Sequence, residues 1–208
     1  MLKIVVTLAL AAGSVMAQYK MEPAGPPPPD LAPAFAGALQ KDGSKILNAS
    51  GATVCEIWLR SAAPSGPKST EENVRLPSIP HGAFLGVIRY PEPFTDRRGL
   101  TIKPGLYTLR YSLYPTNGDH QGIAPQRDFA ILVRAAEDKD VNATPDFEHL
   151  MEMSRKASGT PHPASLSMAD SVAEKFPSFD KEGEKDWALN AKMGDVAVSI
   201  ILVGKYEG

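Results

Sequence analysis

Cys55 is the only cysteine among the 208 residues, so the chain cannot form an intramolecular disulfide and must be held by its core. It lies in Thr53-Val54-Cys55-Glu56-Ile57-Trp58-Leu59-Arg60, where Cys55, Ile57 and Leu59 share one face of a strand. Free cysteine is among the most buried residue types, and the position reads as a small buried hydrophobe. Charge of either sign is also missing in excess. Lys and Arg number 22 against 24 Asp and Glu, for a formal charge of −2. Nucleic acids and anionic membranes select dense basic patches, so neither is an expected partner. No apolar run reaches the roughly 20 residues a membrane helix needs. The C-terminal run Val196 to Val203 is too short to span and reads as a buried strand.

Local catalytic signatures are absent too. The four histidines, His81, His120, His149 and His162, show none of the short spacings of a zinc motif. No G-x-S-x-G or H-E-x-x-H occurs. Asp138-Lys139-Asp140-Val141-Asn142 alternates oxygen-bearing side chains as a calcium loop does. Ala143 stands where such a loop needs Gly, however, and His149 where it needs Glu, so the run reads as a solvated acidic loop.

Proline and glycine, by contrast, are plentiful at 19 and 17 residues. Residues 1–17 carry the marks of a signal peptide: Lys3, an apolar run from Ile4 to Ala12, and Val15-Met16-Ala17 at the cleavage position. This predicts a secreted or periplasmic protein starting at Gln18. Residues 18–38 hold Pro23, Pro26 to Pro29 and Pro33, and read as an extended Pro-rich arm or linker. Residues 39–208 are expected to form one domain, which at this length can bury a single core.

The chain centres on Gly99 to Asp128. From Leu106 to Tyr114, Tyr107, Leu109, Tyr111 and Leu113 alternate with Leu106, Thr108, Arg110, Ser112 and Tyr114. The apolar set faces the core, and Arg110, Ser112 and Tyr114 are expected on an exposed sheet face. Lys45 to Ala49 and Thr53 to Arg60 form a hairpin. Gly82 to Tyr90 is a doubly covered strand, with Phe84, Ile88 and Tyr90 on one side and Leu85 and Val87 on the other. Val74 to Ile79 is an edge segment, Phe129 to Arg134 a buried strand, Ser165 to Met168 a short strand, and Trp187 to Lys205 a terminal hairpin. Asp170 to Asp186 reads as a long connection. One helix is expected near 145–158, with Thr144 as cap, Pro145 in its first turn and Gly159 as its stop. Many strands without a βαβ rhythm predict a mainly β protein, an antiparallel β-sandwich with one peripheral helix.

The run Pro104-Gly105-Leu106-Tyr107-Thr108-Leu109 resembles the turn and strand of transthyretin-like and carboxypeptidase-regulatory-like β-sandwich modules of secreted proteins. The resemblance implies the fold, and modules of that kind generally serve binding, adhesion or support of a neighbouring enzyme.

The densest polar cluster follows this strand. Asn117, Asp119 and His120, then Arg127 and Asp128, with His162 between two prolines, form the expected binding surface. Its ligand would be a carbohydrate, a peptide or an envelope component, and no cofactor is required. The competing expectation is a metal-dependent hydrolytic or redox enzyme in which His120 and His162 hold the ion.

Overall fold

The computed structural model describes residues 19–116 and 126–205. In chain order these form β1 (Lys20–Gly25), α1 (Pro33–Ala38), β2 (Gly43–Leu47), β3 (Thr53–Leu59), β4 (Phe84–Tyr90) and the short β5 (Phe94–Thr95) and β6 (Thr101–Ile102). They continue with β7 (Gly105–Leu113), β8 (Asp128–Arg134), α2 (Phe147–Ser158), β9 (Ser165–Asp170), β10 (Ser178–Glu182), β11 (Asp186–Met193) and β12 (Val196–Val203). The protein is mainly β, antiparallel, with one long helix at its periphery, as the pattern predicts.

The strands do not divide into the two stacked layers of a sandwich. Ten of them form one curved sheet in the order β1-β2-β3-β4-β7-β8-β9-β12-β11-β10. Its end strands approach each other, and Tyr19, Phe179 and Trp187 pack across the seam with ring centroids 5.4 to 6.3 Å apart. The body is therefore a nearly closed barrel. Alternation along a strand fixes which side chains turn inward but not whether the opposite wall belongs to a second sheet or to the same one.

Inside, Ile46, Cys55, Ile57, Ile88, Tyr107, Leu109, Tyr111, Ala130, Leu132, Leu166, Leu189 and Ile200 meet in one core. Outside, two patches are covered. Phe35 of α1 and Leu31 lie on Trp58, Phe84 and Val87, and Leu150 and Met151 of α2 lie on Phe129, Ile131 and Val133. β8 thus alternates faithfully, with Ala130 and Leu132 in the barrel and Phe129, Ile131 and Val133 under the helix.

β4 does not alternate. Phe84 pairs with Arg110 and Gly86 with Leu109, so two residues oppose one and the strand bulges. Leu85, Ile88 and Tyr90 consequently face the interior while Phe84 and Val87 face out, a different partition from the one a strict period of two predicts.

Three further segments differ from expectation. The proline-rich stretch is part of the folded body: Lys20–Gly25 pairs with β2, and the Gly25 carbonyl accepts from Trp58 Nε1 at 2.8 Å. Prolines are tolerated because β1 is an end strand. The connection from Asp170 to Asp186 contains β10, an exposed strand paired with β11. Val74 to Ile79 is not a strand, yet Leu76 and Ile79 join the interior core and plug one end of the barrel.

Helix α2 starts two residues later than Thr144 and Pro145 suggest. Asp146 is the cap, its carboxylate accepting from the His149 backbone N–H at 2.9 Å. Gly159, with φ of 69°, ends the helix in the left-handed region.

Candidate functional site

The outward residues of β7 meet two different covers. Arg110 is fully buried instead of lining an exposed face. Its Nε and Nη2 donate to both carboxylate oxygens of Asp138 at 2.7 Å, and Nη1 and Nη2 also reach the carbonyls of Gly82, Ala143 and Asp140. Thr108 donates to the same carboxylate at 2.6 Å. Five N–H donors find five acceptors, so the guanidinium is saturated. Asp138 is 4% exposed, while Lys139, Asp140 and Asn142 are exposed as expected: the run is solvated on its outer side and, through Asp138, is the lid over Arg110. Gly82 makes this closure possible. With φ of 74° it sits so near Pro145 that a Cβ would lie 2.5 Å from that residue's carbonyl oxygen.

Two strand positions further on, Ser112 lies beneath the edge of α2. Phe147, Met151 and Arg155 recur at intervals of four along that helix and share one side of it. Facing them are Ser112, Leu113 and Tyr114 from the end of β7 and Phe129 and Ile131 from β8, with Pro161, His162, Pro163 and Arg98 at the margin. Between helix and sheet is a cavity of about 240 Å³. Ser112 is 1% exposed, and its Oγ has no hydrogen-bond partner among the described residues. A buried hydroxyl without a partner costs on the order of 1–3 kcal/mol and calls for an explanation. Larger hollows, about 330 Å³ at the barrel seam and about 610 Å³ beside α1, are not lined by such a group.

The cationic groups around the cavity are unequally committed. Arg98 is bound to Asp96 at 2.7 Å and donates to the Pro163 carbonyl at the same distance. Burial pushes the pKa of the neighbouring Tyr114 above its ordinary value, and the charge of Arg98 opposes the shift. Arg155 is half-buried and makes no salt bridge among the described residues, whereas its neighbour Lys156 pairs with Glu152 at 2.7 Å. The backbone at His162 is fixed by hydroxyls: its carbonyl accepts from Ser158 Oγ at 2.7 Å, and its N–H donates to Thr160 Oγ1.

Of the residues expected to bind, Asn117, Asp119 and His120 lie outside the described residues. Arg127 donates to the carbonyls of Tyr114 and Glu72 and to the Glu71 carboxylate. Asp128 is fully buried and accepts from the backbone N–H groups of Arg75 and Leu76 and from the Tyr111 hydroxyl. Both tie the barrel plug to the ends of β7 and β8, and neither lines the cavity. His162 does. Among the described residues no group of three or more His, Cys, Asp or Glu could hold a metal ion, and no helix is long and apolar enough to cross a membrane.

From the sequence, Ser112 reads first as part of an exposed strand face and only second as part of a ligand surface with Arg110 and Tyr114, and the α2 stripe is not expected as a site. The stripe was readable, since a spacing of four from Phe147 to Met151 to Arg155 defines a helix side. Ser112 had no local signal, because only the tertiary fold shows its hydroxyl buried alone.

Comparison with protein-family models, with curated proteins and with solved structures returned no match.

Proposed function

We propose that the protein is an exported, non-catalytic binding protein whose ligand is a small, mainly apolar molecule held between α2 and the outer face of β7 and β8. The leader-like residues 1–17 support export, and the single thiol, buried in the barrel, suits an oxidising compartment. The observation that carries the reading is Ser112. An apolar cavity with the Ser112 hydroxyl orphaned in its lining is the composition of a ligand pocket: surface complementary to hydrocarbon and a polar group that fixes orientation. At about 30 Å³ per water-sized group, 240 Å³ holds about eight heavy atoms. That space accommodates a monocyclic arene or a short alkyl chain.

The test uses protein with 13C-labelled methionine methyl groups, in which the Met151 signal is assigned by its loss in Met151→Leu. Benzyl alcohol, titrated to several millimolar, is expected to move that signal saturably and the other methionines little. If neither benzyl alcohol nor its carboxylate and amine relatives shift Met151 saturably, the reading is overturned.

A further inference from the structure

We infer that the pocket selects small organic anions, specifically amphipathic monocarboxylates, with Arg155 as the residue that recognises the charge. The inference rests on the binding reading above and adds the chemical class of the ligand. Among the described residues, those around the cavity include Arg98, Arg155 and His162 and no carboxylate. Arg98 is already matched by Asp96, so the cationic capacity left at the rim belongs to Arg155.

The geometry orders the ligand. Phe147 and Arg155 stand two helical turns apart on the same side of α2, with Met151 between them. A carboxylate at the Arg155 end thus places its hydrocarbon along Met151 and Phe129, beneath Phe147. A guanidinium fork matches a carboxylate with two parallel N–H donors, which an alcohol cannot reproduce and an ammonium ion repels. The C-terminal end of a helix normally disfavours an anion. Here the Arg155 carbonyl already accepts from the Gly159 N–H, so the nearest orphan acceptor of the last turn is occupied.

The experiment compares benzoate, benzyl alcohol and benzylamine at pH 7.5 through the Met151 methyl signal. Benzoate is expected to bind roughly five- to tenfold more tightly than benzyl alcohol, and benzylamine most weakly. In Arg155→Gln the ratio of benzoate to benzyl alcohol affinity falls toward one. Lys156→Gln removes the same charge one residue away, from a side chain held by Glu152, and keeps the ratio. Added salt narrows the benzoate advantage, as a half-exposed charge pair requires. Benzoate within twofold of benzyl alcohol in the unaltered protein, or a ratio that survives Arg155→Gln, overturns the anion inference and leaves the pocket standing. Failure of all three probes overturns both.

Discussion

Arg110 and Asp138 illustrate how a single buried pair can hold a surface segment in place. A charge taken from water costs several kcal/mol, and it is tolerated here because each N–H of the guanidinium meets an oxygen. Removing the cation leaves the Asp138 carboxylate buried and three backbone carbonyls short of a donor. Arg110→Met is therefore expected to destabilise the protein by about 3–5 kcal/mol, measured by urea denaturation. Arg110→Lys should recover little, since an ammonium offers three donors from one point where five are used in a fixed fork. A lysine variant within about 1 kcal/mol of the parent would show that charge alone suffices. Nothing near Arg110 in the sequence announces this. Alternation placed it correctly on the face opposite Tyr111, but its partner lies 28 residues away in a run that looks like surface.

At the scale of elements, β7 and α2 were legible because each carries its own period, two for the strand and three to four for Leu150, Met151 and Ser154, and β8 and β12 because each is a short apolar run of strand length. What was not legible depends on neighbours. The β4 bulge exists only against Leu109 and Arg110, β1 is a strand only because β2 offers it an edge, and β10 is mostly exposed and lacks an apolar face to read. The cap of α2 was displaced because Pro145, expected inside the first turn, instead packs against Gly82.

The start of α2 also carries a pH dependence. His81 lies beside it, its ring centroid 6.1 Å from that of Phe147, and its Nε2 is buried without a partner among the described residues. Burial lowers the His81 pKa below its ordinary 6.5, outweighing the opposing pull of Asp146 and Glu71. The folded state thus binds the proton less readily than the unfolded chain. This contribution to stability is complete above pH 6.5 and is lost as the pH falls from there through the lowered folded value. Between pH 7 and 5.5, stability should decline with a slope that His81→Phe flattens. An unchanged slope in that variant would assign the dependence elsewhere.

For the molecule as a whole, closure is the decisive feature, and it is the part of the architecture that strand patterns cannot convey. A sandwich and a barrel present the same inward and outward alternation. They differ in whether the first and last strands meet, and here Tyr19, Phe179 and Trp187 bring them together. Residues 19–25 accordingly act as a stave of the barrel. A chain lacking them should leave β2 with a free edge, lower the melting temperature and self-associate on sizing at raised concentration. A shortened chain that stays monomeric with its melting point intact would mean that the seam contributes little.

Cys55 turns that closure into something that can be timed. Its thiol lies on β3 with no solvent access, and desolvation raises its pKa far beyond the ordinary value. A maleimide or iodoacetamide added to the native protein must therefore wait for the wall to part. The pace at which a single adduct accumulates on the mass spectrum is then a clock for how often the staves separate.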